Sequence, residues 1–167
     1  MKLTSAEASK LLRKLSEDRD KLLELERQSR VFVAATVENL EDARPAYSYE
    51  DTRRELREID ERVRKIKHAL NRFNVSQVLP GTDMTIDQAL ICIPQLTQQK
   101  RTLAAMRTIP EKQRNAVGRS TNLIEYTYAN FDPARVEADY AAAAEELARV
   151  QNALDLVSST VQLEIDL

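Results

Sequence analysis

The sequence holds two glycines in 167 residues, no tryptophan and 5% aromatic residues. Sandwiches, barrels and α/β folds turn often and use glycine to do so, so this scarcity argues against all three. The glycines, Gly81 and Gly118, stand far apart, which leaves no room for a phosphate-cradling loop or a dinucleotide fingerprint. One cysteine, Cys92, excludes a disulfide within the chain and fits a reducing cytoplasm. No apolar run approaches the ~20 residues needed to cross a bilayer, and the start MKLTSAEASKLLRK lacks the apolar stretch of a signal peptide. The expectation is a soluble cytoplasmic protein with no membrane partner.

Histidine is almost missing as well, and this bears on chemistry. A carboxylate-bridged iron pair in a helix bundle needs an acid three residues before a histidine on each of two helices. The single histidine is His68, and Lys65 stands where the acid would be. Zinc fails for want of ligands. As a general base His68 would need an orienting acid, and none is identifiable. Cys92 sits in Leu-Ile-Cys-Ile-Pro, apolar surroundings that raise a thiol pKa, so a buried structural cysteine is expected. We therefore expect no cofactor, no metal and no catalytic residue: a non-enzyme.

What the chain has in plenty is charge, 31% of residues, and helical periodicity. In residues 52–74 the apolar positions Leu56, Ile59, Val63, Ile66, Leu70 and Phe73 alternate at spacings of three and four, an uninterrupted heptad seam. Asp51 or Thr52 is the expected cap. Matching stripes lie on both sides. Thr4 and Glu7 read as a capping box opening a first helix, in which Asp18 and Ser29 interrupt the seam. Thr85 and Gln88 read as another, opening a helix that Pro94 must kink or split. Asp132-Pro133 opens the last. Helices are expected at about 5–30, 52–74, 86–107 and 133–160, forming one all-α domain over residues 1–167, an antiparallel bundle or coiled-coil hairpins. Residues 31–37, β-branched and aromatic, are either a short strand or the end of the first helix; residues 123–129 alternate and are rich in strand formers, and the two would make a small two-stranded ribbon if they pair. The last residues, from Val161, alternate and could extend. Narrow bundles from chains this short often finish burying their seams by dimerising, so a homo-oligomer is expected.

Charge is unevenly spread. Residues 52–74 carry eight Lys and Arg against four acids, residues 100–119 six against one, and residues 132–167 two against eight. One expectation is that the acidic last helix neutralises the basic central region, within the chain or across a dimer interface. The functional alternative is a nucleic-acid or phosphate-binding surface made by Arg53, Arg54, Arg57, Arg64 and Lys67 with Arg114 and Arg119.

One resemblance adds to this reading. Leu70-Asn-Arg-Phe-Asn74 is followed by Thr85-Ile-Asp-Gln-Ala-Leu90 and Leu96. Arg119-Ser120 then leads into the strand-like residues 125–128 and Asp132, and a long helix closes on Asp166-Leu167. This order resembles a family of small, mostly uncharacterised bacterial proteins, some labelled septicolysin, with an Asn-Arg-x-Asn element, a Thr-Leu-Thr-x-Ala-Leu helix and an Asn-Trp-x-x-x-Leu ending. The chain departs from that pattern at Ile93-Pro94 and Gln162-Leu163. The resemblance implies an all-helical fold and points to Asn71, Arg72 and Asn74 as interaction candidates. On physical grounds the two asparagines read as left-handed helix terminators, which leaves Arg72 as the residue capping does not explain.

Overall fold

A computed structural model describes residues 1–115 and 124–166. Its elements are β1 (Lys2–Thr4), α1 (Ser5–Ser29), α2 (Leu40–Ala43), α3 (Tyr49–Ser76), α4 (Ile86–Met106), β2 (Lys112–Arg114), β3 (Tyr126–Tyr128), α5 (Pro133–Thr160) and β4 (Gln162–Glu164). The protein is mainly α-helical with minor antiparallel β structure: β1 pairs with β4, and β2 with β3. Contacts gather into two compact units where the sequence suggests one domain. The first is Met1–Asn74 with Ser158–Leu167, the second Val75–Val157.

In the first unit, α1 begins at the capping box: the Glu7 amide donates to Thr4 Oγ1 at 3.2 Å, and the Thr4 amide to Glu7 Oε2 at 2.8 Å. The seams of α1 and α3 then meet. Ala8, Leu15, Ile66, Leu163 and Ile165 are buried together, and Leu11, Ile59, Val63, Leu70 and Phe73 pack around them. Leu163 and Ile165 come from the chain end, where alternation sends Glu164 outward. The end is held in place by the register Lys2↔Glu164, Leu3↔Leu163, Thr4↔Gln162.

Four expectations for this unit need correction. Ser48, not Asp51 or Thr52, caps α3: the Asp51 amide donates to Ser48 Oγ at 3.3 Å and the Thr52 amide to Ser48 O at 3.1 Å. The first turn of α3 precedes its first seam residue, so periodicity alone starts the helix late. Asn71 and Asn74 do not end α3, which runs on to Ser76, and no described residue other than glycine has a positive φ. Residues 31–37 form no strand. Val31, Val33 and Val37 are exposed, and β-branched residues without a ladder partner have nothing to pack against. They also do not continue α1, which stops at Ser29.

In the second unit, Thr85 opens α4 with its own capping box, donated to by the Gln88 amide at 3.3 Å. Before it, Gly81 at φ 73° makes the turn that a side chain would strain. The helix neither stops nor divides at Pro94. Proline has no N–H for the Leu90 carbonyl; both residues are exposed, so water can serve that oxygen. Cys92 is half-buried, not buried as its apolar neighbours suggested: apolar neighbours in sequence do not ensure cover in a helix, and Leu90 and Ile91 are themselves exposed. Asp132 caps α5, accepting from the Ala134 amide at 2.9 Å, with Pro133 at the first helical position. Val136, Ala143, Leu147, Val150, Ala153 and Val157 make the buried stripe of α5. The strand expected at 123–129 is β3, Tyr126–Tyr128; Leu123 lies outside the described residues. Its partner is Lys112–Arg114 and not residues 31–37. A near partner in sequence closes a shorter loop at lower entropic cost.

Candidate functional site

At 100° per residue, Arg53, Arg57, Arg64, Lys67 and Asn71 fall on one face of α3. Arg54 and Arg72 lie about a quarter turn away. The basic residues differ in what holds them. Arg53 is paired with Glu26 of α1, whose side chain is only 15% exposed. Tyr47 donates its hydroxyl to Glu26 Oε1 at 3.3 Å, and the Arg53 guanidinium lies 5.6 Å from the Tyr49 ring centroid. Burial, and then the Glu26 charge, push the Tyr47 phenol above its ordinary pKa. Glu26 satisfies Arg53 only in part, since Arg53 Nε is buried with no hydrogen-bond partner among the described residues. This cluster ties the end of α1 to the start of α3. No sequence signal marks it, because its four members are dispersed over 27 positions of separation between Glu26 and Arg53.

Arg54 is paired with Asp51 at 2.6 Å within α3. A hydrogen bond from Ser48, then Arg54, lowers the Asp51 pKa. Asp60 interrupts the basic face and is occupied by Arg19 at 2.9 Å. Arg57, Arg64 and Lys67 are exposed and make no ion pair among the described residues. Asn71 and Arg72 are exposed, and Asn74 is half-buried. Beside the same helix, Asp18, Lys21, Leu22, Glu55, Ile59 and Arg62 line an open groove of about 410 Å³. The seam break at Asp18 therefore meets a polar, mixed-charge surface.

The remaining basic candidates belong to the second unit, or lie outside the described residues in the case of Arg119. Arg107 is engaged: it pairs with Glu137 and covers the Tyr140 ring at 4.2 Å. It borders a cleft of about 390 Å³ with Met106, Ile109, Phe131 and Val136. Arg114 is exposed on β2. In the β2–β3 ribbon Lys112 stands opposite Tyr128, Gln113 opposite Thr127, and Arg114 opposite Tyr126. Directly opposed residues share a face, so Lys112, Arg114, Tyr126 and Tyr128 project to one side. The ladder continues at both ends, with the Ala129 amide donating to Glu111 O and the Asn115 amide to Glu125 O, each at 3.0 Å. That register sends Glu111 and Glu125 to the other side, where Thr127 donates to Asn115 Oδ1 at 2.8 Å. The ribbon thus separates cations and rings from carboxylates. Sequence reasoning named Arg114 and the tyrosine strand without joining them.

Among the described residues, no group of three or more His, Cys, Asp or Glu side chains is placed to hold a metal ion, and no helix is long and apolar enough to cross a membrane. No family model matches the chain, and no curated protein matches it. The fold does resemble a solved structure, a functionally unknown conserved protein from Corynebacterium diphtheriae, at TM-score 0.59 and 16% identity over 98% of this chain and 100% of that one. At that identity the likeness concerns the fold alone.

Proposed function

We propose that this chain is a non-enzymatic cytoplasmic assembly protein that associates with copies of itself through apolar surface its own helices leave uncovered. The supporting observation is the segment after α1. Within ten positions, Val31 (74% exposed), Phe32 (38%), Val33 (96%), Val37 (95%) and Leu40 (58%) all face water. Apolar surface this concentrated marks an interaction site more often than a bare exterior. Leu25 on the α1 seam and Leu90 and Ile91 on α4 are exposed too. A net charge of −2 sets little repulsion between copies. Light scattering at low and high salt tests the reading. We expect a single oligomer whose mass ignores salt, and a monomer of unchanged helicity for Val33→Glu with Val37→Glu. A wild-type monomer at every concentration would overturn it.

A second reading, phosphate binding by α3, is supported by the shared face of Arg57, Arg64 and Lys67 and opposed by Asp60, which lies on that face. Binding of that kind weakens steeply with salt, whereas apolar association does not.

A further inference from the structure

We propose that the β2–β3 ribbon of the second unit is a binding face for single-stranded nucleic acid. The face presents two cations, Lys112 and Arg114, and two rings, Tyr126 at 41% and Tyr128 at 60% exposure. The ring centroids are 6.3 Å apart, and the Lys112 ammonium lies 4.1 Å and 5.5 Å from them. Glu111 and Glu125 belong to the opposite face by register, so an anion approaching the rings meets no carboxylate of the ribbon.

This is the pairing of elements that single-strand binders use: cations for the phosphates and aromatic planes on which unpaired bases stack. An acidic peptide would use the cations and leave the rings in water. A duplex keeps its bases stacked on one another and offers no base plane to a tyrosine. An unpaired strand satisfies both components. The near-neutral whole chain does not oppose this, because the ribbon sorts its charges by face. Lys112 lies over both rings but nearer Tyr126, so Tyr128, the more exposed, is the principal stacking surface. The inference is independent of the assembly reading: that one concerns the mass of the particle, this one a ligand.

Fluorescence anisotropy of a short labelled oligothymidylate with the full chain tests it. We expect binding that weakens about tenfold or more in Tyr126→Ala with Tyr128→Ala. Tyr126→Phe with Tyr128→Phe keeps the rings and should bind as the wild type, which separates stacking from the folding of the ribbon. Lys112→Gln with Arg114→Gln should flatten the dependence of log affinity on log salt by about 1.4, about 0.7 for each phosphate released. Arg57→Gln with Arg64→Gln should change nothing. The proposal falls if the oligonucleotide does not bind, if the α3 variants rather than the ribbon variants abolish binding, or if duplex DNA or polyglutamate competes equally well.

Discussion

Two arginines of α3, four residues apart, show how a side chain's neighbours decide its role. Arg53 lies within reach of Glu26 and is committed to holding α1 and α3 together, while Arg57 has no ion-pair partner among the described residues. The same reasoning sorts the apolar seam. Ile66 and Leu25 are both seam residues at heptad positions, yet Ile66 is fully buried and Leu25 is 46% exposed. Replacing Ile66 by alanine removes a filled volume that its neighbours cannot close, and should cost about 2–5 kcal/mol in urea denaturation. Leu25→Ala should stay within about 0.5 kcal/mol, as surface changes do. Equal costs would mean that the α1 seam is covered at Leu25 as thoroughly as the core is at Ile66.

At the scale of helices and strands, α4 carries a deliberate-looking flaw. Pro94 deprives it of one hydrogen bond inside a helix that nevertheless runs from Ile86 to Met106. Pro94→Ala should restore that bond and raise the thermal midpoint, by no more than the ~3 kcal/mol that separates the two residues in a helix interior. A fall in the midpoint would show that neighbouring side chains are fitted to the proline. The features legible in the sequence were those with their own local chemistry. Both capping boxes and the Asp132-Pro133 start are self-contained signals, complete within four residues. The mainly α character followed from the seams. What depended on a remote partner was not legible. Residues 31–37 have strand-forming side chains and no ladder to join, whereas Lys2–Thr4 carries almost no pattern and becomes a strand because Gln162–Glu164 lies alongside. The ribbon face is another case: alternation assigns its residues to sides only after the register is known. The Glu26–Arg53 pair, likewise, appears only when two helices are brought together.

Across the molecule, the two units differ in how the chain supplies them. The second is one stretch, Val75–Val157, while the first is assembled from Met1–Asn74 and Ser158–Leu167. A charge placed in the strand contributed by the far end should therefore act selectively. Leu163→Asp buries an unpaired carboxylate beside Ala8, Leu15 and Ile66. In amide hydrogen exchange we expect protection to fall around Leu15 and Ile66 and to persist from Val136 to Val150. A uniform loss would show that the chain opens as one cooperative body.

The pairing of Lys2–Thr4 with Gln162–Glu164 also sets a timetable. A chain emerging from the ribosome exposes α1 and α3 early, but Leu163 and Ile165, which complete their core, follow only after α4 and α5. The stretch Val75–Val157 is out in full before they appear. Of the two units, the one begun first is completed second, and during elongation the faces around Leu15 and Ile66 wait for a cover that has not yet been translated.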